Sequence, residues 1–310
     1  MDNVYILLIA IAVDLTIGEY PRFMHPVEWL GPLITIEIKA APKNNKKAQF
    51  AYGTLVVLLT VAAIGAGVYY LLAYLKGINY WAYILVAAFL LKSTFSARKL
   101  CWDIYKIKKP LDENDMQQAR QRVSYVVSRD TARLEKPQVV SAAVESLAES
   151  TADSIVSPLI WFLVLGVPGA VAYRVINTFD ARIGYRGVYE HLGKFAARLD
   201  DIVNYIPARI SGLLIVIAAY LSQSSGRVAW CTMLQDHKQT SSPNAGWPMS
   251  AMAGALNTQL EKTGHYSLGT ASVPLVSKHI TLAIKLVLIA ALTWAATCIL
   301  VEVLKYVITT

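Results

Sequence analysis

The chain has 310 residues, 55% of them hydrophobic and 16% charged, with a mean hydropathy of +0.43 and a net charge of +8. Soluble domains carry about 25% charged residues, so the composition argues against a water-soluble protein and for a membrane protein. The basic excess matches the positive-inside bias of cytoplasmic loops and also suits anionic headgroups or phosphorylated substrates. No recognised nucleic-acid motif and no basic tail accompany it, so no nucleic-acid partner is expected.

The N-terminus, MDNVY, lacks a basic n-region, and the apolar run at 4–17 carries Asp14. A short span is expected there rather than a cleaved signal peptide. Residues 51–75 are long enough to cross about 30 Å of hydrocarbon at about 1.5 Å per residue. Lys76 and Gly77 mark a tight turn, and 78–95 reads as the returning helix. The polar stretch 93–153 follows, helical around DENDMQQARQRV with Asp112 as its cap. Segment 155–176 is apolar but interrupted by Pro158, Gly166, Pro168 and Gly169. A single crossing there would put Arg182, Arg186, Lys194 and Arg198 outside, against the positive-inside rule. A broken or re-entrant element is therefore expected, buried among other helices; an ordinary span with a weak topology signal is the alternative. Residues 207–222 and 282–306 read as further spans, the second with Lys285 and Glu302 near its ends, within reach of the interface.

Cys101, Cys231 and Cys298 lie far apart and are odd in number, giving neither a disulfide framework nor metal-ligand spacing. The basic loops 39–47 and 92–136 flank the 51–91 hairpin, so both can lie in the cytoplasm. The fold expected is one all-α, polytopic membrane domain over 1–310. It has about 4–6 hydrophobic helices, some broken or re-entrant, with polar helices and loops facing the cytoplasm.

Several clusters carry chemistry. RLDDIVNYIPAR at 198–209 sets Asp200, Asp201, Asn204, Arg198 and Arg209 just before an apolar run. Charges at the edge of hydrocarbon are costly unless paired or put to use; carboxylates can hold Mg²⁺, and arginines grip phosphate or carboxylate bidentately. Glu145, Glu149 and Asp153 recur at steps of four, which on a helix puts them on one face. Like charges at that spacing repel unless a cation or basic partner sits over the stripe; Mg²⁺ is a natural candidate, and a solvated acidic face is the plain alternative. Asn177, Asp180, Arg182 and Tyr185 are flanked by Gly184 and Gly187, which would allow close backbone approach to a ligand; helix capping by Asn177 or Asp180 explains them as well. His25, close behind Asp14, suits proton transfer or a phosphate contact, but a lone His before Pro is more often structural. Arg129-Asp130-Thr131 and the NAGWP segment beginning at Asn244 are polar clusters that turn chemistry alone would account for. GVYEHLGK, ending at Lys194, is not a P-loop, because the spacing is wrong and Phe195 stands in place of Ser or Thr. No nucleophile elbow, zinc motif or dinucleotide fingerprint is present.

Taken together, DLTIG at 14–18, HPV at 25–27, RDT at 129–131, ESLAES at 145–150 with Asp153 and Pro158, GVPGAVAYRVINTFD at 166–180 with Gly184-Tyr185, ARLDDIVNYIPAR at 197–209 and NAGWP at 244–248 resemble, in order, the adenosylcobinamide-phosphate synthase family of cobalamin biosynthesis (CbiB/CobD). The match runs from residue 14 to residue 248. Two departures stand out: Ser150 where the family would carry asparagine, and Phe179-Asp180-Ala181-Arg182 in place of Leu-Asp-Ser-Met. The resemblance implies a multi-pass cell-membrane enzyme with its site facing the cytoplasm. It would join an aminoalcohol, usually aminopropanol O-phosphate, to the propionate of adenosylcobyric acid, using ATP and Mg²⁺. The corrinoid is substrate rather than prosthetic group. Self-association or contact with other membrane enzymes of the pathway fits the same reading.

On that resemblance, Glu145, Glu149 and Asp153 are expected at Mg²⁺ and phosphate, with Asp200 and Asp201 as a second acidic pair. Arg129, Arg198 and Arg209 would hold phosphates or the substrate carboxylate, joined in substrate binding by Lys194, Tyr185 and Asn244. Asn177, Asp180 and Asn204 would orient them. Asp14 and His25 would close the site, either one taking the proton of the incoming ammonium. Two other classes remain: a non-catalytic membrane sensor resembling AmpE, and a small transporter with these charges along its pathway.

Overall fold

The computed structural model describes residues 1–310 apart from Asn44, Arg186 and Thr310. Arg186, one of the basic residues in the orientation argument, thus lies outside the described residues. The helices in chain order are α1 (Asp2–Thr16), α2 (Pro26–Lys39), α3 (Lys46–Ile78), α4 (Tyr80–Lys92), α5 (Ala97–Asp112), α6 (Met116–Ser124), α7 (Lys136–Thr151) and α8 (Ser157–Ile183). They continue with α9 (Lys194–Val203), α10 (Tyr205–Leu221), α11 (Gly226–Asp236), α12 (Gly246–Ala255) and α13 (Lys278–Thr309). Two three-residue strands, β1 (Leu260–Lys262) and β2 (Tyr266–Leu268), form an antiparallel hairpin that the sequence reading lacked.

Local chemistry sets the boundaries. Asn45 caps α3 by accepting from the N–H groups of Lys47 and Ala48, and Asn79 ends α3 and caps α4 by accepting from Ala82. The turn expected at Lys76-Gly77 therefore falls two residues later, where an asparagine can do both jobs. Asp112 is the last residue of α5 rather than a cap. Asn114 has φ 58°, which breaks the helix, and Asp115 caps α6 by accepting from the Gln118 N–H. A π-helical turn at Ala152–Val156 joins α7 to α8, and α8 is interrupted at Gly166 (φ 68°, ψ −161°). The break expected in 155–176 is thus present, at a glycine whose positive φ carries no steric cost.

Four helical segments are long and apolar enough to cross a membrane: Lys46–Ile78, Tyr80–Asp112, Lys136–Ile183 and Lys278–Ile308. The bent pair α9 and α10 makes a fifth if counted as one span. In α3 the side chains of Leu55, Leu58, Leu59 and Leu71 are exposed, as a lipid-facing helix requires. The protein is an all-α polytopic membrane protein. α1, with 15 residues, is shorter than the roughly 20 that a full crossing takes.

The chain forms two compact units. The first comprises Met1–Ser96, Ser157–Asn204 and the chain from Thr297 onward. Its core joins Leu30 and Ile34 of α2, Val57 of α3, Val175 and Phe179 of α8, and Ala196 of α9. Glu302, expected near the interface, is instead buried here, accepting from Asn3 at 3.0 Å and pairing with Lys305 at 2.7 Å. Lys285, expected there too, is exposed. The second unit comprises Ala97–Val156 and Tyr205–Ala296. Its centre is α12, where every residue from Pro248 to Ala255 is buried. Gly254 lets α12 approach α11 closely: a Cβ there would stand 2.7 Å from the Ala229 Cα. Cys101, Cys231 and Cys298 are all free.

Candidate active site

In the first unit, Lys92 ends α4 with its side chain fully enclosed. Its ammonium lies 3.3 Å from Asp14 and 3.4 Å from Glu19, donates to the Phe95 carbonyl, and sits 5.4 Å from the Tyr20 ring centroid. Glu19 also meets His25 Nε2 at 2.8 Å. His25 Nδ1 accepts from the Val27 N–H, capping α2 ahead of Pro26. Both ring nitrogens are therefore engaged, and the Nδ1 acceptor role leaves Nε2 as the donor to Glu19. Burial works to raise the Glu19 carboxyl, but the His25 hydrogen bond and the Lys92 charge outweigh it and hold it at about 2. A carboxylate depressed in the folded state stabilises above its unfolded value and loses that effect as pH falls through the folded one. The contribution of Glu19 should therefore be intact above its ordinary 4.5 and fade toward about 2. Acid unfolding of Glu19→Gln, followed by tryptophan fluorescence, should show a shallower loss of stability across that window than the parent; parallel curves would contradict it.

A second polar chain in the same unit is organised around Asp200 of α9. Asn177 donates to its Oδ1 at 3.3 Å and Asn204 to its Oδ2 at 2.9 Å. Asn204 is 2% exposed, and its own Oδ1 accepts from the hydroxyls of Ser157 (2.6 Å) and Tyr173 (2.9 Å). Arg174 donates to Asn177 Oδ1 at 3.1 Å. The network has one direction: every donor points toward the Asp200 carboxylate, which fixes its orientation. Asp201, the next residue, is half-buried beside it. Neither Asn177 nor Asp180 caps a helix, because both lie inside α8. Gly184 serves Asp180 rather than a ligand, since a Cβ there would stand 2.0 Å from Asp180 Oδ1. Tyr185 is exposed. Lys194 and Arg198 line an open cavity with Lys46, Lys47 and His191, forming a basic surface apart from the Asp200 hydrogen bonds.

The second unit holds the other half of the candidate set. Arg129 Nη2 lies 3.3 Å from Glu145 Oε2, and both side chains are largely enclosed. Glu145 also accepts from Ser141 at Oε1 (2.5 Å) and from the Tyr266 hydroxyl at Oε2 (2.8 Å). Burial, with the Glu145 charge, pushes the Tyr266 phenol well above its ordinary range, so it stays a donor. Thus the cation over the acidic stripe is Arg129. Asp130 makes a turn, accepting from the Ala132 N–H, and Thr131 donates to the Arg120 carbonyl. A polar cavity of about 240 Å³ opens beside the pair, lined by Arg129, Glu145, Ser146, Glu149, Lys262 and Tyr266. Glu149 is exposed. Asp153 lies in the π turn, beyond the regular helix on which the stripe was counted. Among the described residues no group of three or more His, Cys, Asp or Glu side chains is placed to hold a metal ion. The stripe is therefore not a three-carboxylate cage: Glu145 is turned to its three donors, and the helix changes pitch at Asp153. The acids at 145, 149 and 153 and the pair at 200–201 belong to different units.

Arg209 stacks on Tyr205, 3.4 Å from the ring centroid, and lies 4.7 Å from that of Trp247. Its cation–π packing accounts for a charge beside an apolar helix. Asn244 is buried in the turn before α12, where its carbonyl accepts from the Trp247 N–H.

Sequence reasoning missed Glu19, Lys92, Ser141, Arg174, Lys262 and Tyr266. Lys92 closes an apolar helix, where a cytoplasmic anchor is the ordinary explanation. Only Ser141 carried a local signal, four residues before Glu145 on the same helix face.

The family model described as CobD/Cbib protein matches residues 7–305. The chain belongs to the CobD/CbiB family. Among its curated relatives, cobalamin biosynthesis protein CobD of Dehalococcoides mccartyi is 46% identical over 95% of this chain and 96% of its own. A probable cobalamin biosynthesis protein CobD of Methanocaldococcus jannaschii is 38% identical over 88% and 90%. CobD of Klebsiella pneumoniae is 34% identical over 83% and 82%. No solved structure matches this CobD/CbiB chain.

Proposed function

We propose that this protein acts in cobalamin biosynthesis as an adenosylcobinamide-phosphate synthase, an ATP-dependent acid–amine ligase of the cell membrane with its site facing the cytoplasm. The observation that carries this reading is the polar cavity of the second unit, lined by Arg129, Lys262 and Glu149 in a membrane protein of the CobD/CbiB family. A sensor has little use for convergent cations and acids in a cavity. The substrates on this reading are adenosylcobyric acid and an aminoalcohol phosphate.

A carboxylate is a poor electrophile, so amide formation first needs its oxygen phosphorylated. The γ-phosphoryl group of ATP passes to the propionate, ADP leaves, and the amine then attacks the acyl carbon. Phosphate departs with the C–O bonding pair, and the ammonium gives up its proton to a base. Such chemistry asks for positioning and charge neutralisation rather than a covalent nucleophile. Arg129, held by Glu145, suits the phosphoryl oxygens, because a fixed guanidinium costs no reorganisation. Within the first unit, Asp200, fixed by the two amides that donate to it, suits orientation of a cationic or hydroxyl group. Glu149 would hold Mg²⁺ together with substrate phosphates, since the ion is usually bound by one or two carboxylates. When bound, it neutralises the phosphate oxygens.

Purified protein given corrinoid, aminoalcohol phosphate, ATP and Mg²⁺ should form the amide, cobinamide phosphate; transport into vesicles without condensation would point to a transporter. Glu149→Gln should lower turnover about 100-fold or more, the usual cost of losing one preorganised electrostatic group. Near-normal turnover would remove Glu149 from the site.

A further inference from the structure

We propose that Lys262, carried on the β1–β2 hairpin, forms with Arg129 a two-cation clamp for a phosphoryl group, and that Tyr266 is the positioning residue that holds the clamp's geometry. The proposal deepens the ligase reading and rests on it for the identity of the substrate, but not for the binding itself.

The hairpin's register carries the argument. Leu260 pairs with Leu268, Glu261 with Ser267, and Lys262 with Tyr266. Side chains alternate along a strand, and cross-strand partners share a face. Lys262 and Tyr266 therefore stand on the same face as Leu260 and Leu268, both completely buried, while Glu261 and Ser267 stand on the other. A lysine on the inward face of a short hairpin loses hydration and is expensive unless an anion meets it. Among the described residues no side chain forms an ion pair or hydrogen bond with its ammonium. Across the same cavity, Arg129 Nε is buried with no hydrogen-bond partner, although its Nη2 meets Glu145. One cavity thus presents two unsatisfied cationic donors, and a tetrahedral oxyanion would satisfy both.

The hairpin is not loosely placed. The Glu261 N–H donates to Ser141 Oγ at 2.9 Å, Ser141 in turn donates to Glu145, and the Gly269 N–H donates to Asp236 at 2.7 Å. Tyr266 therefore ties the hairpin bearing Lys262 to the carboxylate that orients Arg129. The volume also selects the ligand. At about 30 Å³ per water, about 240 Å³ takes a phosphoryl group and the few atoms attached to it. It falls below the roughly 300–1,000 Å³ of pockets that enclose a drug-sized ligand, so a corrinoid's bulk stays outside.

The phosphoryl group has two sources, the aminoalcohol phosphate and the nucleotide, and binding separates them. Calorimetric titration of the detergent-solubilised protein with aminopropanol phosphate, with a non-hydrolysable ATP analogue plus Mg²⁺, and with unphosphorylated aminopropanol is the test. In the arm that supplies the phosphoryl group, Lys262→Ala should weaken binding about tenfold or more, the worth of one charge-assisted hydrogen bond. Lys262→Arg should restore most of it, and unphosphorylated aminopropanol should be unaffected. Tyr266→Phe should weaken the same arm while leaving the aminopropanol result unchanged. Parent and Lys262→Ala binding both phosphorylated ligands alike, or a parent that binds neither, would overturn the clamp. Phosphate-dependent binding lost in Lys262→Ala, with no amide formed by the parent, would leave the clamp standing and remove the ligase reading instead.

Discussion

Lys92→Met should lower the stability of the protein by about 3–5 kcal/mol, because it removes the ammonium shared by two carboxylates while leaving both in place. Asp14 is 2% exposed and Lys92 is completely buried, so water cannot take over the role of the missing partner. The size of the effect comes from desolvation, not from the attraction itself: exposed ion pairs are worth about 0–1 kcal/mol. This gives the prediction a second half. If the cost is that of an uncompensated buried charge, Asp14→Asn combined with Lys92→Met should be markedly more stable than Lys92→Met alone, since replacing both members of a buried pair is often near neutral. Unfolding midpoints in detergent for the two single variants and the double measure it. A Lys92→Met midpoint equal to that of the parent, or a double variant no better than the single, would show that the pair does not hold α1 against α4.

The second large effect is expected at Glu145. Its carboxylate accepts from Ser141, Tyr266 and Arg129, with about 5% of the residue exposed. Glu145→Gln keeps the shape but turns one acceptor into an NH₂ group and leaves the Arg129 charge without its counterion. Stability should fall by about 3 kcal/mol, as for other broken buried pairs. Turnover in the condensation assay should fall about 100-fold or more, because Arg129 loses the anchor that aims it. Tyr266→Phe removes only one hydrogen bond and should cost about 1–2 kcal/mol. Glu145→Gln that folds with parental stability would contradict the buried-pair account, whatever its activity.

These two sites show what could be read beforehand. The helix period made the acidic stripe visible, and the repulsion along it called for a cation, but nothing local pointed to Arg129, sixteen residues upstream across a turn. The apolar runs and their Gly and Pro interruptions placed the spans and the break near Gly166, because chain length and backbone sterics are local properties. The residue type of Asp112 fits a cap, but Asp115, three residues on, does the work because Asn114 adopts positive φ. Lys92 reads as the start of a basic cytoplasmic stretch, and Glu302 as the end of an apolar helix within reach of the interface. Their partners come from distant parts of the chain, Asp14 for one and Asn3 for the other, so only the folded protein reveals them as buried. The hairpin was invisible because three-residue strands give too short a run for a period of two to register.

The interruption at Gly166 has one more consequence. It frees helical carbonyls in the middle of an apolar segment, and the Leu163 carbonyl is met by the ammonium of Lys305. The unit to which both belong is assembled from three separate stretches, the last beginning only at Thr297. Domains made of one continuous stretch can complete themselves in order as the ribosome delivers them. This one cannot, since its gap at Leu163 stays open until Lys305, in the third of its stretches, emerges. The stretch from Thr297 thus acts as the closing stitch of biogenesis, and a chain that stops short of Lys305 should be recognised by quality control as unfinished, however much of it has already been inserted.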